Sequence, residues 1–240
     1  MVSNSEEKAT EFQNALKVIV TNAARLYEDA KILEEWDRFP TSYALAVLAQ
    51  EEYGKAFIVH LVADHKVPWT PELEKASRDH LCKQLVALVL EYINRKDFIE
   101  LMDEPDRFRG ASSLPSHVFS AIEIVVYERV RRWSRKDWVE GSKIDPVANR
   151  IARGVIDREK QTGLYVLLGN KGQVKRRPDM ISRERCHVEL ARAERVSNAF
   201  YLLDDKVKRV ASFDWEKIVP LFQVLLGEMP LDEFNQKWWA

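Results

Sequence analysis

Apolar positions along residues 1–63 recur in alternating steps of three and four, the period of an amphipathic helix. Ile19, Asn22, Leu26, Asp29 and Leu33 share one stripe, within a helix expected over about 5–36. Leu45, Leu48, Glu52, Lys55 and Val59 share another, within a helix from about 41 to 63. Pro40 separates the two, because proline disfavours helical geometry in the residue before it. Thr70-Pro71 supplies an N-cap and first-turn pair for a third helix, which carries Leu81, Leu85, Leu88 and Tyr92 on one face and fades near Met102. Residues 103–116 read as an exposed loop, and further helices follow over about 117–138, 145–160 and 182–209. One segment departs from this period. Leu164 to Leu168 is β-prone, Gly169 to Gly172 supplies turn residues, and Gln173 to Arg176 can return, which predicts a small hairpin.

These elements imply an all-α bundle over 1–210 with a hairpin insertion near 164–176, and C-terminal docking helices over 211–240. The aromatic tail through Trp238-Trp239 is too apolar to stand free in water and leaves surface to bury, on the body or on a second copy. The 240 residues are 46% hydrophobic and 31% charged, and a net charge of −1 gives no global field to recruit nucleic acid. Cys82 and Cys186 match no metal spacing and suggest reduced thiols. The first residues are polar and acidic, unlike a signal peptide, and no apolar run is long enough to span a bilayer, so a cytoplasmic protein without membrane contact is expected.

The polar members of the two stripes need explaining. Asn22, Asp29, Glu52 and Lys55 point toward a partner helix, and burying such groups unpaired costs several kcal/mol each, roughly. They are expected to form one cluster, within reach of each other or of Asp79, His80 and Lys83. Glu51 and Lys55 suit an i,i+4 pair, with Glu52 closing on Asn22 or a basic group. Such a cluster serves either as a clasp fixing helix register or as part of a functional site. The Glu-x-x-His repeats of a carboxylate-bridged metal centre do not occur, so neither metal nor cofactor is expected.

Several motifs resemble the AbiV-type abortive infection proteins, a bacterial phage-defence family with a HEPN helical core. They are Asn22-Ala23 with Leu26, Asp29-Ala30 and Leu33, and an EE-x-GKA core at Glu51-Glu52 and Gly54-Lys55-Ala56. Asp79-His80 with Lys83 follows, then Lys160 with Gly163-Leu-Tyr-Val166. The resemblance implies antiphage defence, a homodimer with paired sites, and metal-independent cleavage or binding of RNA. It also leaves room for a phage-encoded activator or an inhibitory partner. The wider HEPN R-x4–6-H motif has no match, though Lys55 to His60 and Lys75 to His80 are lysine versions.

Cleavage through the ribose 2′-OH needs a base, an acid and a cation for the phosphorane. Histidine suits the proton transfers because its pKa lies near neutrality. His80 is the first candidate, with Arg78, Asp79 and Lys83 beside it, and His60 is the second. Two basic stretches could meet an RNA backbone: Arg129 to Lys136, interleaved with tryptophan, and the hairpin region with Lys175, Arg176, Arg177 and Arg183. The competing reading is a non-catalytic helical adaptor that acts through a protein partner.

Overall fold

A computed structural model of the chain describes residues 3–64, 67–93 and 146–201, together with Gln223, Met229, Pro230 and Glu233. Helix α1 spans Ser3–Glu35. It ends in a paired-bond cap in which Arg38 N–H donates to the Leu33 carbonyl (2.8 Å) and Asp37 N–H to Glu34 (3.0 Å). Asp37 takes the left-handed conformation this cap requires, at φ 55°. Helix α2, Phe39–Ala63, begins two residues earlier than expected. Pro40 lies in its first turn rather than between the helices, since a first-turn residue has no helical partner for the N–H that proline lacks.

α2 is the axis of the fold. Its buried positions run all around the helix, including Tyr43, Val47, Tyr53, Phe57, Ile58 and Leu61. A helix apolar on every side must be enclosed, and α2 is packed by α1 and by the later helices.

The expected third helix is two. α3 spans Pro71–Arg78, capped by the Thr70 hydroxyl accepting from Leu73 N–H (3.2 Å), and α4 spans His80–Ile93. Asp79 between them is extended, and its carboxylate accepts from Cys82 N–H at 2.9 Å. It therefore ends one helix and caps the next. The apolar spacing conceals this break, because Leu85 and Leu88 keep the same period on either reading. α5 (Pro146–Ala152) and α6 (Val155–Leu164) replace a single expected helix, separated at Gly154, which adopts φ 64°.

The hairpin is present, with β1 at Leu167–Leu168 and β2 at Val174–Arg176 paired antiparallel. A 3-10 turn at Pro178–Met180 leads into α7, Arg183–Tyr201. The expected loop over 103–116, the helix over 117–138 with its basic stretch, and most of the C-terminal helices lie outside the described residues. Met229 packs against the core. Among the described residues, no helix is long and apolar enough to cross a membrane.

A second side of α2 is locked to α7 by a buried ionic network. Gln50 donates to the Glu189 carboxylate (3.1 Å), Arg192 bridges Glu189 (2.6 Å) and Glu91 of α4 (3.1 Å), and Arg195 reaches Glu91 (2.7 Å). Tyr43 ties α2 to α6 by donating to Glu159 at 2.8 Å. Burial pushes this phenol well above its ordinary pKa, so it remains a protonated donor.

Candidate functional site

Two glycines bring the site together. A Cβ on Gly54 of α2 would lie 2.3 Å from the Lys83 carbonyl oxygen, so only glycine lets the α4 backbone come this close. A Cβ on Gly163 of α6 would lie 2.3 Å from the Pro40 carbonyl oxygen, at the start of α2. Three residues before each glycine stands a charged residue, Glu51 and Lys160. One helical turn separates charge from glycine in both cases, so the close approaches aim the two side chains at each other.

Glu51 is the centre, with 1% of its side chain exposed. Its Oε1 accepts from Lys160 Nζ (2.6 Å) and Gln84 Nε2 (2.8 Å). Its Oε2 lies 2.6 Å from His80 Nδ1 and 3.6 Å from Lys83 Nζ. Lys160 also reaches Asp157 Oδ1 at 2.7 Å. Two carboxylates and two ammoniums thus neutralise one another in a region where an unpaired charge would be strongly destabilising.

His80 is the outlet of this cluster. Its side chain is 55% exposed, against 7–8% for the two lysines. As the first residue of α4 it is held by the cap at Asp79, which fixes where the helix begins. A 2.6 Å contact between Nδ1 and a carboxylate assigns the ring proton to Nδ1. The neutral imidazole then carries its lone pair on Nε2. A buried carboxylate orienting a histidine is the arrangement that prepares a general base.

Glu51, His80 and Asp157 offer ligand atoms within 4.8 Å of one another. The Lys160 ammonium already lies among them, 2.6 Å from Glu51, 2.7 Å from Asp157 and 3.4 Å from His80 Nδ1. A divalent ion would meet this charge and that of Lys83, so the donor set suits an internal cation better than a metal.

The polar residues of the two stripes gather with one another, Asp29 joining through Arg25, and not with Asp79, His80 and Lys83. Asn22 donates to Glu52 (3.3 Å), Lys55 lies 3.8 Å from the same carboxylate, and Arg25 binds Asn22 (3.0 Å) and Asp29 (2.8 Å). This partly exposed group joins α1 to α2, on a different side from His80. Glu51 is engaged by Lys160, Gln84 and His80 on the α4 and α6 side, and Lys55 lies against Glu52 instead of pairing with Glu51. Arg78 is exposed and bonded to Glu74, not to the cluster. His60 sits at the far end of α2, 3.7 Å from Asp64 and beside the rings of Phe57 and Phe200.

Of the basic residues near the hairpin, Lys175 is exposed and Arg176 half-buried. Arg177 pairs with Asp179 (2.8 Å), and Arg183 lies over the Phe39 ring, with its Nε 3.5 Å from His187. Lys160, Asp157 and Gln84 are site members not placed there from the sequence, Lys160 entering only through the motif it shares with the family. The repeated pattern of a charged residue three positions before a glycine, at Glu51–Gly54 and Lys160–Gly163, was the available signal for the Glu51–Lys160 contact.

A family model described as HEPN_AbiV, AbiV, matches residues 11–198 of the chain. No curated protein and no solved structure is matched.

Proposed function

The chain belongs to the AbiV family of HEPN proteins, an abortive-infection, phage-defence family, and we propose that it arrests its host by cutting RNA at His80. The observation that carries this is the Glu51–His80 contact at 2.6 Å, which leaves Nε2 as the outward base. Nε2 takes the proton of a ribose 2′-OH, and the 2′-oxygen forms a bond to the adjacent phosphorus. The bond from phosphorus to the 5′-oxygen breaks, and that oxygen takes a proton from solvent. The products are a 2′,3′-cyclic phosphate and a 5′-hydroxyl. The nucleophile belongs to the substrate, so the step draws on no metal. The test is purified protein incubated with total RNA in EDTA, with His80→Ala alongside. Cleavage by the parent alone, leaving cyclic phosphate ends, supports the assignment. Equal cleavage by both removes His80 from the reaction and turns attention to His60.

One observation favours the adaptor reading. Lys83 and Lys160 are engaged with Glu51 and Asp157, so their charge is partly spent before a phosphate arrives. On that reading the cluster pins α4 and α6 to α2, and a protein partner, such as a phage-encoded activator or an inhibitor, carries the function. Intact RNA together with undiminished phage resistance in the His80→Ala strain would select it.

A further inference from the structure

The hairpin exposes more apolar surface than a two-stranded ladder can justify on its own. Leu167 and Leu168 are adjacent in β1, so their side chains leave opposite faces of the ladder. They are 47% and 58% exposed, and Tyr165 beside them is 65% exposed. A strand apolar on both sides reads as one covered on both sides, and an isolated hairpin is marginal in water. The apolar residues form the stem, while the tip, Asn170-Lys171-Gly172-Gln173, is polar. From Leu164 to Arg185 there are six basic residues against two acidic ones; Arg177, Arg183 and Arg185 have partners within the chain, so Lys171, Lys175 and Arg176 carry the outward charge.

The complementary surface lies on the same chain. Residues 28–37, at the end of α1, carry five acidic residues against one basic; Glu28, Asp29 and Glu34 already meet Lys31, Arg25 and His187, and the exposed Glu35 and Asp37 present the remaining charge beside Trp36. Ile32 and Trp36 lie one turn apart there, and Trp36 is 73% exposed. The cap at Asp37 fixes this corner and holds Trp36 out from the body. The two surfaces are also neighbours. The hairpin stem begins beside Gly163, which touches the Pro40 carbonyl, and Pro40 is four residues beyond Trp36.

We infer that the hairpin stem docks on the acidic, Trp36-bearing end of α1 of a second copy of this chain. Because the two surfaces adjoin, a two-fold axis between them satisfies both reciprocally. An exposed tryptophan rimmed by charge is the composition of an interface anchor. Two hairpins facing each other would place like charges together, which disfavours that alternative. Single-stranded RNA suits this surface less well, since Arg177 and Arg183 already have protein partners and the stem is largely aliphatic. A membrane would meet the polar tip first.

Charge exchange tests this pairing. Light scattering of the parent at micromolar concentration should give twice the 28.0 kDa of one chain. The double variant Lys171→Glu with Lys175→Glu should weaken assembly at least about tenfold, as should Glu35→Lys with Asp37→Lys. Combining all four changes should restore it. Trp36→Ala should dissociate the assembly while its circular dichroism matches the parent. A parent of 28.0 kDa, or a four-fold variant that fails to recover, overturns the inference. So does binding of RNA or of anionic vesicles by the parent that the hairpin changes abolish while the mass stays doubled. His80→Ala should assemble as the parent does, so the docking surface and the RNA-cleavage proposal fail or stand separately.

Discussion

Lys160 Nζ stands 2.6 Å from Glu51 Oε1 across 109 residues of chain, and both side chains are buried. This contact and the glycine approaches beside it turn three helices into one site. Removing either partner strands a charge in the interior. Lys160→Met is therefore expected to destabilise the protein by about 3–5 kcal/mol, and Glu51→Ala by a similar amount. The Glu51→Gln, Lys160→Met double variant should cost less than the sum of its singles, because it removes the charge from both ends. Urea denaturation of the parent, the singles and the double measures the coupling. Additive costs would mean the two groups do not interact.

Gly54→Ala and Gly163→Ala oppose two effects. Alanine favours a helix interior by about 1 kcal/mol over glycine, but each new methyl would stand 2.3 Å from a backbone carbonyl oxygen. Backbone cannot swing aside as a flexible side chain does. Overpacking of this kind costs about 1–3 kcal/mol, so the net is destabilising. Gly54→Ala should also displace His80 from Glu51 and reduce phage resistance beyond what its stability loss explains. The melting temperature and a plaque assay on the same variants read both effects, and a melting temperature at or above the parent's would refute the close-packing account.

Asp79 supplies the cap that starts α4. Asp79→Ala should cost about 1 kcal/mol, and Asp79→Asn or Asp79→Ser should recover most of it, because either side chain can accept from Cys82 N–H. Chemical denaturation of the set distinguishes a cap from a catalytic carboxylate, since serine would restore stability but could not act as an acid.

The cysteines should behave as core residues. Burial pushes the Cys186 thiol above its ordinary pKa, with the Ser42 hydroxyl opposing that shift more weakly. A raised value means less thiolate at mildly alkaline pH and slower reaction with an alkylating reagent. Native protein should therefore consume iodoacetamide slowly, and unfolding in urea should release the reactivity of both Cys82 and Cys186, which are buried.

Much of the helical layout was legible because its causes are local. The stripe through Ile19, Leu26 and Leu33 predicts α1, and the glycines at 169 and 172 predict the hairpin turn. The breaks at Asp79 and Gly154 were not legible, since the apolar period runs across both. The site was only half legible for a different reason. A stripe identifies an inward face only when the other face is polar, and α2 is buried on all sides. Periodicity therefore favoured Glu52, on the α1 side, over Glu51, which faces α4 and α6. Which carboxylate finds the lysine depends on two backbone approaches far apart in sequence, and spacing along one helix cannot show that.

His80 separates chemistry from stability within this cluster. Its side chain is half exposed, and without it Glu51 keeps Lys160, Gln84 and the nearby Lys83. The buried carboxylate would then remain neutralised, so His80→Ala should cost about 1 kcal/mol or less, far below Lys160→Met. Its effect on function should be the reverse. If the imidazole is the base, His80→Ala abolishes RNA cleavage and phage resistance together while the melting curve barely moves. Glu51→Gln should keep the ring near its place but weaken the contact that fixes its tautomer, which lowers the rate without changing the product ends. An adaptor built on the same cluster predicts the opposite order, with resistance tracking stability, so Lys160→Met would be the damaging change and His80→Ala nearly silent. Ranking these variants by melting temperature and by plaque count decides between the two. A His80→Ala protein that is both stable and fully protective would end the proposal that His80 is the base.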